Sequence, residues 1–177
     1  CDSFYPNVIN TGGDCSTWID EAAEIFEAFD VRLIMSWPPC DDLAGSGARW
    51  YKAKAEANPN YLNEAVARAL LGRTLGEKYG VPWMVENPVG VLSNPKNFGK
   101  PTYYFSPHQY GGYLPADDDG NPYPNIVPNR DAYTKKTCLW TGNDFVMPLP
   151  FPVPAEKFQD KNGLNYSALH WKLGGKS

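Results

Sequence analysis

Three observations in the sequence predict an α/β fold with a partly parallel sheet and flanking helices. Two short apolar runs, 31–36 and 82–86, have the length of buried strands. A helical pattern over 61–79 lies between them. Each run leads into a proline-marked motif, Pro38-Pro39-Cys40 after the first and Glu86-Asn87-Pro88 at the second. Strand, crossover helix and strand make a βαβ unit, whose right-handed connection sets the two strands parallel. Their carboxyl ends then share one edge, where open α/β sheets hold their ligands.

The remaining elements follow in chain order. Residues 1–15 are irregular and end in Gly12-Gly13-Asp14. Ser16 or Thr17 caps a helix over 17–29, with Asp20 and Glu21 favourably placed in its first turn. Trp18, Ala22, Ile25, Phe26 and Phe29 recur at helical spacing, so they are expected on one buried face. A loop is expected over 38–50. Asn58-Pro59-Asn60 opens the second helix, Leu62, Ala65, Val66, Ala69 and Leu70 form its apolar stripe, and Gly80 stops it. Residues 95–135, rich in Pro, Gly, Tyr and Asn, read as a long loop or small insertion. Thr137–Trp140 reads as a further strand, and the four prolines of 147–154 exclude a helix or a central strand. The whole chain, 1–177, reads as one domain.

Composition narrows the function. Hydrophobic residues at 42% and charged residues at 20% are those of a globular chain rather than a disordered one. A net charge of −4 argues against a generally basic nucleic-acid binder, although a local patch can still meet DNA. There is no membrane-length apolar stretch, no signal-peptide pattern and no CxxC spacing among the four cysteines. A reduced cytoplasmic chain without a metal centre is the expectation.

Cys40 and Glu86, at neighbouring strand ends, form a plausible chemical pair. A thiolate attacks an electron-poor carbon, and a carboxylic acid protonates or hydrogen-bonds a ring nitrogen. The flank Trp83-Met84-Val85 argues that Glu86 is buried, and burial raises a carboxyl pKa. Cys1, Cys15 and Cys138 read as packing residues, and His108 and His170 as hydrogen-bonded loop histidines. Asp117-Asp118-Asp119-Gly120 reads as an acidic surface turn, since Pro122 and the lack of a downstream Glu spoil a calcium loop.

The motifs and their order resemble the DNA (cytosine-5) methyltransferase family, in the compact form common in phage and prophage proteins. Pro38-Pro39-Cys40 with Leu43, Ser46-Gly47 and Arg49-Trp50 resembles its nucleophile loop. Val85-Glu86-Asn87-Pro88-Val89 resembles its Glu-Asn motif, and Pro107–Gly111 and Thr134–Trp140 its later segments. The resemblance implies a Rossmann-like methyltransferase fold, S-adenosylmethionine as methyl donor and cytosine in DNA as substrate, in a bacterial or phage-infected cell. It implies that Cys40 adds to carbon 6, that Glu86 serves ring nitrogen 3, and that Asn87 fixes the loop or the base edge. It gives Asp2, Asp14 and Pro38 to the cofactor, and Pro39, Ser46, Arg49, Lys135 and Lys136 to the target nucleotide. The Lys-Lys pair stands where the family spaces arginines. The family's glycine-containing first motif and its last motif are missing, so the chain is expected to be a fragment carrying the catalytic half.

Two rivals stand beside this reading. One is a non-catalytic methyltransferase-like module that binds DNA or protein through the same cleft, which the acidic balance and the missing motif favour. The other keeps the chemistry and replaces DNA with a free cytidine nucleotide, since no target-recognition domain is evident.

Overall fold

The computed structural model describes residues 18–117 and 119–169. In order, its elements are α1 (Trp18–Ala28), β1 (Ile34–Ser36), α2 (Tyr51–Ala57), α3 (Tyr61–Tyr79), β2 (Trp83–Pro88), β3 (Tyr103–Phe105), β4 (Thr137–Gly142), β5 (Lys157–Gln159) and β6 (Asn165–Ser167). Strands β1-β2-β4-β3 form one sheet, and β5 and β6 form a separate hairpin. β1 and β2 run parallel, with Ile34, Met35 and Ser36 opposite Trp83, Met84 and Val85. The β2–β4 and β4–β3 ladders are antiparallel. The fold is therefore mixed α/β, and among the described residues its parallel part is the β1–α3–β2 crossover that the sequence predicts.

Helix α3 is set by its ends and by a stripe of small residues. Asn60 precedes it, and Gly80 closes it in the left-handed region at φ 66°, donating its N–H to the Gly76 carbonyl. Ala65, Ala69, Gly72 and Gly76 recur every three or four residues on the buried side. A Cβ at Gly72 would lie 2.7 Å from Ser36 Cβ, and one at Gly76 would lie 2.3 Å from Trp83 Cδ1. The helix thus approaches β1 and β2 more closely than alanine allows. Leu43, Trp83, Val85, Leu92, Cys138 and Trp140 fill the core with Ala65 and Ala69. Full burial of a side chain such as Val85 contributes about 1.5–3 kcal/mol. Cys138 is a packing residue, as expected.

Several expectations are corrected. Ala22 is buried and Ile25 and Phe26 are half-buried, with Phe26 stacked 3.8 Å from Tyr79. Phe29 is 60% exposed, because α1 ends at Ala28 and the helical period no longer aims the next side chain. The strand read over 31–36 is only Ile34–Ser36, and Leu33 and Met35 are exposed. Among the described residues β1 is an edge strand that packs on α3 with one face, so these residues do not bury it on both faces. The loop at 38–50 ends in a 3-10 turn, Gly45–Trp50, that leads into the unforeseen α2. Residues 95–135 are not one open loop: they contain β3 and several 3-10 turns. The β5–β6 hairpin also went unread, although Asp160-Lys161-Asn162-Gly163 is a turn sequence with Gly163 at φ 83°. Residues 147–154 hold neither helix nor strand. No described helix is long and apolar enough to cross a membrane.

Candidate active site

Strand alternation separates Glu86 from Asn87. Successive side chains in β2 face opposite sides of the sheet. Trp83 and Val85 meet α3, so Asn87 shares their side, and Glu86 lies with Met84 on the other. The two neighbours therefore serve different surroundings.

Asn87 ties β2 to the cysteine loop. It is 1% exposed, and its Nδ2 donates to the Pro38 carbonyl at 3.0 Å, across 49 residues of chain. Its Oδ1 is buried without a partner among the described residues. The next turn folds on itself, as Leu43 N and Ala44 N donate to the Cys40 carbonyl at 3.1 and 2.7 Å. It is then stitched to the chain after β2: Gly45 N donates to Val89 O, and Val91 N to Leu43 O, both at 2.9 Å. Gly90 permits that approach, since a Cβ there would sit 1.9 Å from the Leu43 carbonyl oxygen. From α2, Lys54 Nζ donates to the Asp42 carboxylate at 2.5 Å and to the Asp41 carbonyl at 3.1 Å. Arg68 of α3 lies 3.7 Å from the same carboxylate. Cys40 is a free, exposed thiol on a turn held from three sides.

Glu86 faces an apolar cleft of about 380 Å³. Met35, Trp37, Met84, Phe105 and Leu139 line it with the segment 145–148, and among the described residues Glu86 is the one carboxyl in its walls. Desolvation by burial raises the Glu86 pKa above the ordinary carboxyl value, and the nearby Lys135 charge offsets part of that rise. The carboxyl is thus biased toward its protonated, donating form, as Trp83-Met84-Val85 led us to expect. Glu86 also acts electrostatically on Tyr133, whose hydroxyl pKa is raised chiefly by burial.

The other sequence candidates divide. Pro38 is buried with its carbonyl engaged by Asn87, and Pro39, Ser46 and Arg49 lie on the exposed turn. Arg49 stacks over its neighbour Trp50 at 5.2 Å. Lys135 and Lys136 are both exposed, and the Lys136 ammonium sits 4.5 Å above the Tyr104 ring. Asp2 and Asp14 lie outside the described residues, as do Cys1, Cys15 and His170. Cys40 is not a wall of the cleft. Trp37, three residues before it, is a wall, so the Cα of Cys40 lies within about 11 Å of the Trp37 Cα.

The segment Pro107–Gly111 contributes Tyr110 to the walls of the cleft. His108 Nδ1 lies 3.2 Å from the Val153 carbonyl, which makes it a hydrogen-bonded loop histidine. Tyr110 and Tyr113 hydroxyls donate to the Pro148 and Leu149 carbonyls at 3.2 and 2.9 Å. Gly112 N donates to Phe151 O at 2.7 Å, and Val153 N to His108 O at 2.8 Å. These bonds pin the proline-rich strap that follows the cleft-lining residues Phe145–Pro148. Sequence reasoning missed the strap, Met35 and the Asp42–Lys54–Arg68 cluster. Only the strict Pro alternation over 148–154 signalled an extended, sheet-independent segment.

Comparison with family models, with curated protein sequences and with solved structures finds no match to this chain.

Proposed function

We propose that this chain carries the catalytic half of a DNA (cytosine-5) methyltransferase, in which Cys40 forms a transient adduct with the target base. The observation that supports this reading best is the Asn87–Pro38 hydrogen bond, which ties the cysteine loop to the strand that presents Glu86. The raised pKa of Glu86 supports it further, because the acid has to be protonated to serve ring nitrogen 3. In the adduct step the Cys40 thiolate adds to carbon 6, and the carbon 5–carbon 6 π pair moves toward the ring nitrogen, which Glu86 protonates. Carbon 5 thereby gains nucleophilic character. Once carbon 5 carries the transferred methyl group, loss of its proton to a base, expulsion of Cys40 as thiolate and return of the ring-nitrogen proton to Glu86 restore the aromatic ring. A free cysteine is only a few per cent thiolate at neutral pH, so the step needs base assistance. A base within duplex DNA is first swung out of the stack, at a cost of about a few kcal/mol.

S-adenosylmethionine would supply the methyl group when bound. Of the residues assigned to it, only Pro38 is described, and its engaged carbonyl leaves just the ring as a wall. The described residues therefore do not make up a cofactor pocket by themselves. Pro39, Ser46, Arg49, Lys135 and Lys136 are the proposed nucleotide contacts, the two lysines toward phosphate.

The test is covalent trapping by duplex DNA containing 5-fluorocytosine, in the presence of S-adenosylmethionine. The reading expects a trapped species that Cys40→Ala abolishes, and trapping that survives the substitution rejects it. A second reading, a non-catalytic binding module, is favoured by the position of Cys40 off the walls of the cleft. Calorimetry with S-adenosylmethionine discriminates between the two, since the module requires no binding. The free-nucleotide alternative is removed by activity on duplex oligonucleotides without activity on deoxycytidine monophosphate.

A further inference from the structure

Burial does not account for the position of α2. None of its seven residues is buried, and only Tyr51 and Lys54 are even partly covered. The two stand three residues apart, so they share one face of the helix. Both spend their polar ends on the turn that follows Cys40. The Tyr51 hydroxyl donates to the Ala44 carbonyl at 2.8 Å. Lys54 Nζ donates to the Asp41 carbonyl at 3.1 Å and to the Asp42 carboxylate. One helix face thus grips residues 41, 42 and 44 of the turn that Leu43 N and Ala44 N close on the Cys40 carbonyl. The grip is itself braced by α3. The Tyr51 ring lies 6.3 Å from that of Tyr61, and Arg68 backs the Asp42 carboxylate at 3.7 Å. The hydrogen bond to Asp42 is the chief cause that raises the Lys54 pKa, so the ammonium keeps its charge.

We propose that Tyr51 and Lys54 are positioning residues: α2 is a latch that holds the 40–44 turn in one conformation and so fixes where the Cys40 sulfur is presented. They act through the backbone of the turn and not on the reacting atoms. Placement matters because a nucleophile about 1 Å out of position loses about a hundredfold in rate. That consequence rests on the reading of Cys40 as the nucleophile, whereas the latch itself does not.

The latch is tested by amide hydrogen exchange on the full chain, comparing the parent with Tyr51→Phe, Lys54→Met and the double variant. Each substitution removes the donor and keeps the side-chain stem. The expected result is that the Ala44 and Gly47 amides, which donate within the turn, exchange about tenfold faster in the double variant. Amides of the β2–β4 ladder keep the parent's protection. Unchanged exchange at Ala44 and Gly47 overturns the latch. So does a loss that the ladder shares, because it marks a general contribution to stability and not a hold on the turn. The consequence for chemistry is read from covalent trapping by a 5-fluorocytosine duplex at saturating DNA. Lys54→Met should trap at least about tenfold more slowly while binding the duplex as tightly as the parent. Weaker duplex binding with an unchanged saturated rate makes Lys54 a phosphate contact and overturns its positioning role. A parent chain that traps no DNA rejects the methyltransferase reading, and the exchange measurement still decides the latch.

Discussion

The bond from Asn87 to Pro38 gives two substitutions of opposite character at one buried position. Asn87→Ala removes a hydrogen bond worth about 1 kcal/mol net and strands the Pro38 carbonyl, at about 1–3 kcal/mol. It also removes the unpartnered Oδ1, whose burial carries a similar penalty, so the net cost is about 1 kcal/mol. Asn87→Asp keeps the shape and replaces the donor. Only the protonated acid can donate to Pro38, and burial at 1% exposure opposes ionisation. A carboxyl with a higher pKa folded than unfolded holds more protons in the folded state, so stability falls as pH rises through the interval. If burial lifts this pKa by about 3 units, the cost at pH 7 is about 4 kcal/mol, at about 1.36 kcal/mol per unit. Urea unfolding reads both effects. With a slope of about 2 kcal/mol per molar, the midpoint falls by about 0.5 M for Ala and about 2 M for Asp at pH 7. The Asp deficit shrinks as the pH is lowered toward 4. Equal midpoints for Ala and Asp at pH 7, or an Asp deficit that ignores pH, would refute the assigned donor and its burial.

Two further predictions concern the helix seam and the acid. Gly76→Ala should destabilise the fold by about 1–3 kcal/mol despite alanine's better helix propensity, because the new methyl meets the Trp83 ring. Unchanged or raised urea stability would contradict the close approach of α3 to β2. Glu86 has a raised pKa, so its ionisation should cost stability as pH rises above the ordinary carboxyl range. Glu86→Gln should therefore gain on the parent protein as pH rises above the ordinary carboxyl range, and a gap that moves the other way would show that Lys135 outweighs burial.

The crossover was legible because its signals are local and redundant. Asn60, Gly80 and the Ala65–Ala69 stripe fix α3, and two apolar runs fix the strands it joins. β4 was legible for the same reason, as four consecutive residues, Thr137–Trp140, are buried. The rest depends on neighbours. Leu33 and Met35 look like core residues in the sequence but are exposed on β1, which is an edge strand among the described residues. Gly72 and Gly76 appear to weaken a helix until the Ser36 and Trp83 contacts give them a purpose. At the site, Cys40, Glu86 and Asn87 were readable as a motif. Their division between two faces follows from β2 alternation, whereas the Lys54 clamp and the proline-rich strap rest on long-range hydrogen bonds that no spacing encodes.

The most direct test of a sulfur nucleophile at the loop after β1 is to map the bond itself. The chain is incubated with a 5-fluorocytosine duplex and S-adenosylmethionine, then digested, and its cysteine peptides are weighed. The account predicts one modified peptide, spanning Cys40 and heavier by the fluorinated, methylated nucleotide. An adduct on Cys138 or on another cysteine, or unmodified Cys40 in a sample that binds the duplex, would contradict it.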